Sequence, residues 1–151
     1  MDTVKDFEDM LELFERFEVQ YLIIGGLAFI FHAKPRYTKD MDLWVGPSGE
    51  NVGRANQALA AFGSPQTLDP DEPDEILQIG VAPNRIDLLR TPGGIAFREA
   101  WHRRIEGRYG SAGANWIDLD GLISIKSEID HPRHQDDARI LRLVRDRRLE
   151  Q

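Results

Sequence analysis

The 151-residue chain contains no cysteine, which rules out disulfides, thiolate catalysis and cysteine-based zinc sites. It has no apolar run long enough to span a bilayer. The longest, Tyr21 to Ala33, is interrupted by two glycines and falls well short of the ~20 residues a spanning helix needs. A basic, hydrophobic leader is also missing, since the N-terminus is acidic and amphipathic. These absences predict a soluble, cytoplasmic protein. Basic residues are in deficit, 19 Lys and Arg against 26 Asp and Glu for a net charge of -7. That balance speaks against nonspecific DNA binding and against an anionic membrane as partner. No internal repeat, low-complexity tract or long linker divides the chain.

At 41% hydrophobic, a chain of this length is expected to build one core. Charge is unevenly spread. The first twenty residues carry seven acids against Lys5 and Arg16, while residues 133 to 148 carry six arginines against three acids. The basic end reads as a solvated helix face, with an acidic partner as the alternative.

Residues 3 to 17 place Val4, Phe7, Met10, Leu11, Phe14 and Phe17 at helical spacing, with Asp2 or Thr3 as the cap. Gln20 to Ile24 reads as a buried strand, and Gly25-Gly26 precedes a helix that ends near Ala33, before Pro35. Met41 to Val45 is the second strand, Gly46 to Gly49 a turn, and Glu50 to Phe62 a helix. Residues 63 to 75 hold three prolines and five acids, the composition of a solvated loop. Ile76 to Val81 and Arg85 to Leu89 form a hairpin in which alternation sends Ile86 and Leu88 one way and Asp87 the other. Gly93-Gly94 opens a helix to Arg104, Asn115 to Leu119 is a short strand, and Asp120 caps a helix from Gly121 to Ile129. The last helix runs from about His134 to Arg148.

The densest chemistry lies between residues 20 and 45. A strand that runs through Gly25-Gly26 into a helix exposes backbone N–H groups and a positive dipole end, a cradle for phosphate. Asp40 and Asp42 sit two apart in the strand-like Asp-Met-Asp-Leu-Trp-Val, so both carboxylates share a face, and Met41 and Leu43 turn to the core. Unit charges 4 Å apart repel by about 1 kcal/mol in water and about 4 at an effective dielectric of 20. Something positive should therefore lie between them. With Asp87 on a separate strand, three carboxylates supply hard oxygen ligands for two Mg²⁺ (or Mn²⁺) ions, which suits metal-assisted phosphoryl chemistry.

Gly25-Gly26, thirteen intervening residues, Asp40-Met41-Asp42 and later Ile86-Asp87-Leu88 resemble the nucleotidyltransferase (polymerase beta-like) superfamily. Its pattern is an apolar strand, Gly-Gly or Gly-Ser, a helix, Asp-x-Asp or Asp-x-Glu, and a third acid on a neighbouring strand. Arg36-Tyr37-Thr38-Lys39-Asp40-Met41-Asp42 further resembles the Arg-x-Thr-x-Asp-x-Asp element of the branch containing nucleotidyltransferase toxins of type IV toxin/antitoxin (abortive infection) systems. Leu122-Ile123-Ser124-Ile125-Lys126, followed by Arg133-His134-Gln135-Asp136, is similar to a stretch of that branch with a lysine and an Arg-x-Lys-Asp element. The resemblance covers roughly residues 20 to 45, 84 to 90 and 120 to 145.

That resemblance implies an α/β (α+β) fold, a small mixed sheet of about four to five strands flanked by helices. One domain, 1–151, would comprise a catalytic sheet core (1–119) and a C-terminal helical pair (120–151). The implied activity moves a nucleoside monophosphate from an NTP such as ATP to a hydroxyl on RNA or tRNA, protein or a small molecule. A cognate antitoxin or other partner protein is also implied. Gly25 and Gly26 would hold the triphosphate, Asp40 and Asp42 both metals, and Asp87 one metal and the acceptor hydroxyl. Lys126 would approach the phosphates. Two departures stand out: Gly26 replaces a frequent serine, and Gln135 replaces the lysine. Toxins of that type are longer, so an acceptor-binding domain is expected to be absent from this sequence. Two other readings remain: a non-catalytic nucleotide-binding or partner-binding module of a two-gene system, and a metal-dependent phosphohydrolase.

Several residues carry an ordinary reading beside the functional one. Arg36 is either a phosphate fork or the partner of an acid in the first helix. Thr38 is a β-former or a ligand. Lys126 is a phosphate ligand or a lysine snorkelling from an amphipathic helix. His32, His102, His131 and His134 lack shared metal spacing and are read as non-ligands. The tryptophans Trp44, Trp101 and Trp116 are read as core or interface anchors.

Overall fold

Four consecutive apolar residues, Tyr21 to Ile24, are all buried because the strand they form is covered on both faces. The computed structural model describes residues 3–150 and builds the sheet outward from this strand. In chain order the elements are α1 (Lys5–Arg16), β1 (Tyr21–Ile24), α2 (Gly25–His32), β2 (Asp40–Val45), α3 (Gly49–Phe62), β3 (Leu77–Ile79) and β4 (Arg85–Leu89). They continue with α4 (Phe97–His102), β5 (Ile105–Tyr109), β6 (Ala112–Trp116), α5 (Leu119–Glu128) and α6 (Pro132–Leu149). The strands lie in one sheet of order β3-β4-β2-β1-β6-β5. It is mixed: β2 pairs parallel with β4 and β1 with β6, while β1–β2, β3–β4 and β5–β6 are antiparallel. The fold is thus the expected mixed α/β arrangement, with six strands where four to five were expected.

The apolar stripe of α1 buries Phe7, Met10, Leu11 and Phe14, and Phe14 meets Tyr21 edge-on at 5.4 Å. α1 packs on α3 and β6, while α2 packs on β1, β2, α5 and α6. Trp44 and Trp116 are fully buried, as core anchors should be. His32 is buried with Nε2 2.7 Å from the Ile117 carbonyl, and burial lowers its pKa; it is a core histidine.

Several boundaries differ from expectation for local reasons. Thr3 does not cap α1: Val4 occupies that position, and its N–H donates to the Tyr109 hydroxyl at 2.9 Å. Asp2, the other expected cap, lies outside the described residues. Asp118, not Asp120, caps α5, accepting from the Gly121 N–H at 3.2 Å, so the helix starts earlier than predicted. The strand expected at Asn115 to Leu119 ends at Trp116 because the Asp118 cap already begins α5. The loop after α3 is solvated at residues 69–75 but tethered. Buried Arg90 donates to the carbonyls of Asp69 and Glu72, at 2.9 and 2.7 Å, and Leu68 is held by Asn56.

α4 begins only at Phe97 because Gly93 and Gly94 adopt φ +84° and +81°, which no right-handed helix accommodates. A Cβ at Gly94 would overlap the Ser124 carbonyl oxygen of α5, whereas one at Gly93 would meet only the Glu128 Cγ at 3.5 Å. Gly94→Ala should therefore destabilise the fold by at least about 1–3 kcal/mol, and clearly more than Gly93→Ala. Urea unfolding of the two variants side by side measures the difference.

Candidate active site

The parallel pairing of β2 and β4 sets Asp42 opposite Asp87 and Asp40 opposite Arg85. Paired residues share a face, so the three acids gather on one side of the sheet. One carboxylate oxygen from each lies within 4.8 Å of the others. Met41 and Leu43 are buried behind them, as alternation predicted. The positive group expected between Asp40 and Asp42 lies instead between Asp40 and Asp87, and it is Arg85. Its Nη2 donates to Asp40 Oδ2 at 2.7 Å and to Asp87 Oδ2 at 3.2 Å. Its Nε lies 3.0 Å from Asp87 Oδ1, an ion pair without hydrogen-bond alignment. Asp87 Oδ1 is consequently a buried acceptor with no hydrogen bond. An all-oxygen cluster with an unsatisfied carboxylate oxygen fits a hard divalent ion such as Mg²⁺ or Mn²⁺.

Burial, with mutual repulsion added, is strong enough to move protons. Burial, followed by the charges of Asp40 and Asp87, pushes Asp42 up to about 7. Burial also raises Asp87, against the opposing pull of Arg85. In the metal-free protein the fold holds a proton on Asp42 that the unfolded chain, with its ordinary value of 3.8, releases earlier. The resulting stabilisation is fully present below about pH 4 and is lost as pH rises through about 7. Thermal melts in EDTA from pH 5 to 8 should show wild type losing melting temperature relative to Asp42→Asn. Parallel curves would remove the shift.

β1 enters α2 through Gly25 at φ +70°. A Cβ here would overlap Asp42 Oδ2, so glycine is required both by the backbone and by the carboxylate beside it. Gly26 faces Thr38, whose Oγ1 lies 2.7 Å from where a Cβ would be. A serine at 26 would thus collide with Thr38, which already offers a hydroxyl in that space. No side chain caps the start of α2, which leaves its first N–H groups free for a ligand.

Gly25, Gly26, Arg36, Thr38 and Lys126 all line one cleft of about 440 Å³ together with Asp40 and Asp42. Lys39, Arg133 and His134 line it too, and Asp87 does not. Arg36 pairs with α6 and not with α1: its Nη1 and Nη2 donate to Asp137 at 2.8 and 3.0 Å, and its guanidinium lies 4.0 Å from the Phe29 ring centroid. Lys126 is buried and donates to Asp137 at 2.9 Å and lies 3.3 Å from His134 Nδ1. Burial lowers the Lys126 pKa, partly offset by Asp137. For Asp137 burial works upward but is outweighed by the hydrogen bonds from Arg36 and Lys126, which hold it below its ordinary value.

Sequence reasoning did not single out Arg85 or Asp137, and His134, read as a non-ligand, lines the cleft. Alternation along Arg85-Ile86-Asp87 placed Arg85 on the acidic face, a signal that could have found it. The Arg-x-Lys-Asp comparison pointed to Asp136, which is exposed and pairs with Arg139 at 2.7 Å. The buried acid is its neighbour. Gln135 stays out of the cleft and donates to the Ser127 and Ile129 carbonyls, at 3.0 and 2.9 Å, closing the end of α5.

No protein-family model matches the chain, and neither does any curated protein sequence. Several solved structures are similar in architecture, among them two adenylyl-transfer proteins. ANT(2")-Ia in complex with adenylyl-2"-tobramycin is 15% identical, with a TM-score of 0.56, over 89% of this chain and 84% of that one. The lincosamide antibiotic adenylyltransferase LnuA, lincomycin-bound, is 15% identical at the same TM-score of 0.56, over 95% and 99%. With the strand order and helix placement described above, this similarity gives the chain a nucleotidyltransferase-like fold.

Proposed function

We propose that the protein is a divalent-metal-dependent nucleotidyltransferase that moves a nucleoside monophosphate from an NTP to a hydroxyl and releases pyrophosphate. The observation that carries this reading is the convergence of Asp40, Asp42 and Asp87 within 4.8 Å beside an uncapped glycine turn and a basic cleft. Adenylyl transfer by the two structural neighbours supports it. The free N–H groups of α2, Thr38 and the cations Arg36, Lys39, Lys126 and Arg133 would receive the triphosphate. Asp40 and Asp42 would hold both ions and Asp87 one of them; bound there, the ions would neutralise phosphate charge and acidify the attacking hydroxyl. The acceptor oxygen attacks the α-phosphorus, its proton passes to Asp87, and pyrophosphate leaves into the basic cleft.

On this reading residues 1–119 supply the carboxylates and glycine turn, and 120–151 supply Lys126, so both act as one domain. A role as the toxin of a two-gene system, working in the cytoplasm with a cognate antitoxin, rests on the Arg36 to Asp42 segment and Lys126. The non-catalytic alternative draws on one feature, the bridging of two of the three acids by Arg85.

Calorimetry with ATP, GTP, CTP and UTP, with and without Mg²⁺, tests the proposal. Binding is expected to require Mg²⁺ and to be lost in Asp40→Ala; binding that ignores both would overturn it. Label from an α-labelled triphosphate should then appear on an acceptor, whereas release of free monophosphate would make the protein a phosphohydrolase.

A further inference from the structure

A second cavity, of about 200 Å³, shares Gly25, Asp42, Lys126 and His134 with the basic cleft, so the two join around Asp42. Its own walls are apolar, formed by Ile24, Leu89, Leu122, Ile125 and Ile129, with Ile76 at the mouth and 55% exposed. The carboxylates divide between the cavities. Asp40 opens on the basic cleft and not on this chamber, and Asp87 opens on the chamber and not on the cleft. If the nucleotidyltransferase reading holds, as this inference requires, the phosphates lie on the Asp40 side. The hydroxyl to be activated then approaches Asp87 from the apolar chamber.

The chamber's chemistry restricts what can bring that hydroxyl. The cations that would receive a ribose-phosphate backbone, Arg36, Lys39 and Arg133, all line the other cleft. The chamber's ammonium, Lys126, is shared with that cleft and pairs with Asp137. Acids stand close by in the chain: Asp74 accepts from the Thr91 hydroxyl at 2.8 Å, next to the lining residue Pro92, and Glu75 precedes the lining residue Ile76. A polyanion would find one ammonium there, Lys126, against the several cations of the other cleft. An uncharged apolar body, by contrast, gains about 25 cal/mol for each Å² it removes from water. Cavities that enclose whole drug-sized ligands measure roughly 300–1,000 Å³, so this one seats a single ring system.

We propose that the acceptor is a small neutral or cationic molecule whose apolar portion occupies this chamber and presents a hydroxyl to Asp87, and that it is not an RNA end. The bond formed joins the acceptor oxygen to the α-phosphorus, the bond broken releases pyrophosphate, and the hydroxyl proton goes to Asp87.

Isoleucine-methyl NMR of the full chain reads the chamber directly, because Ile24, Ile76, Ile125 and Ile129 line it. With Mg²⁺ and a non-hydrolysable ATP analogue present, 2-naphthylmethanol is expected to shift these methyls. Its phosphate monoester and the trinucleotide CCA should bind at least tenfold more weakly. Three results would overturn the inference: CCA shifting these methyls in preference to the alcohol, the alcohol leaving them unmoved, or the ATP analogue alone displacing Ile76 and Ile129, which would make the chamber a nucleobase site. Failure of the alcohol with ATP binding intact sinks this inference alone. Binding of the alcohol by a protein that ignores ATP in calorimetry sinks the transferase reading, and the acceptor role with it.

Discussion

Asp87→Asn is expected to slow nucleotidyl transfer by at least about a hundredfold, the scale on which removal of one preorganised electrostatic or general-base group acts. The amide keeps the shape of the side chain but removes the charge. It also replaces one of two oxygens in a cluster where Asp87 Oδ1 is the buried acceptor with no hydrogen bond. Folding should not suffer, because one of three mutually repelling carboxylates disappears. The measurement is single-turnover transfer from an α-labelled triphosphate, paired with a thermal melt. A variant that retains more than a tenth of the wild-type rate, with its melting temperature unchanged, would remove Asp87 from the reaction.

Asp137→Ala is expected to cost about 3–5 kcal/mol of stability, because it strands a buried cation. The side chains of Lys126 and Asp137 are each only 4% exposed, and Arg36 donates to the same carboxylate twice. Removing the acid leaves Lys126 charged in a site where burial already disfavours its charge. Urea unfolding checks the prediction. Asp137→Ala combined with Lys126→Met should recover part of the loss, since the stranded charge is then gone; equal losses in the single and double variants would locate the cost elsewhere.

These two acids mark how far the sequence could be read. Asp87 was legible because alternation in Arg85 to Leu89 leaves it alone among apolar neighbours, and the strand pairing then only had to carry it to Asp42. The glycine turn was legible for a similar reason: an apolar run stops abruptly at two residues without side chains. Asp137 was not, because its partner Arg36 lies 101 residues away. The phase of α6 held a clue, since Asp137 stands four residues before Leu141 and seven before Val144, on the side that turns to the core. β5 escaped for want of pattern. Ile105-Glu106-Gly107-Arg108-Tyr109 puts glycine in the middle of its inner face and lies at the sheet edge, where little burial disciplines composition. Asp118 and Asp120 are both competent caps by type, and only the path of the chain out of β6 selects the first.

Arg85 gives the acidic cluster an internal counterion. The guanidinium offsets part of the repulsion between the acids of β2 and β4, the service a bound cation would otherwise supply. If the proposed metal site is real, the same tether would handicap a bare ion, which would have to evict an arginine already in place. A cation that arrives escorted by a polyanion meets less resistance, because the escort offers the displaced arginine somewhere to go. On the proposed function, loading would therefore favour the ion–nucleotide complex over the bare ion.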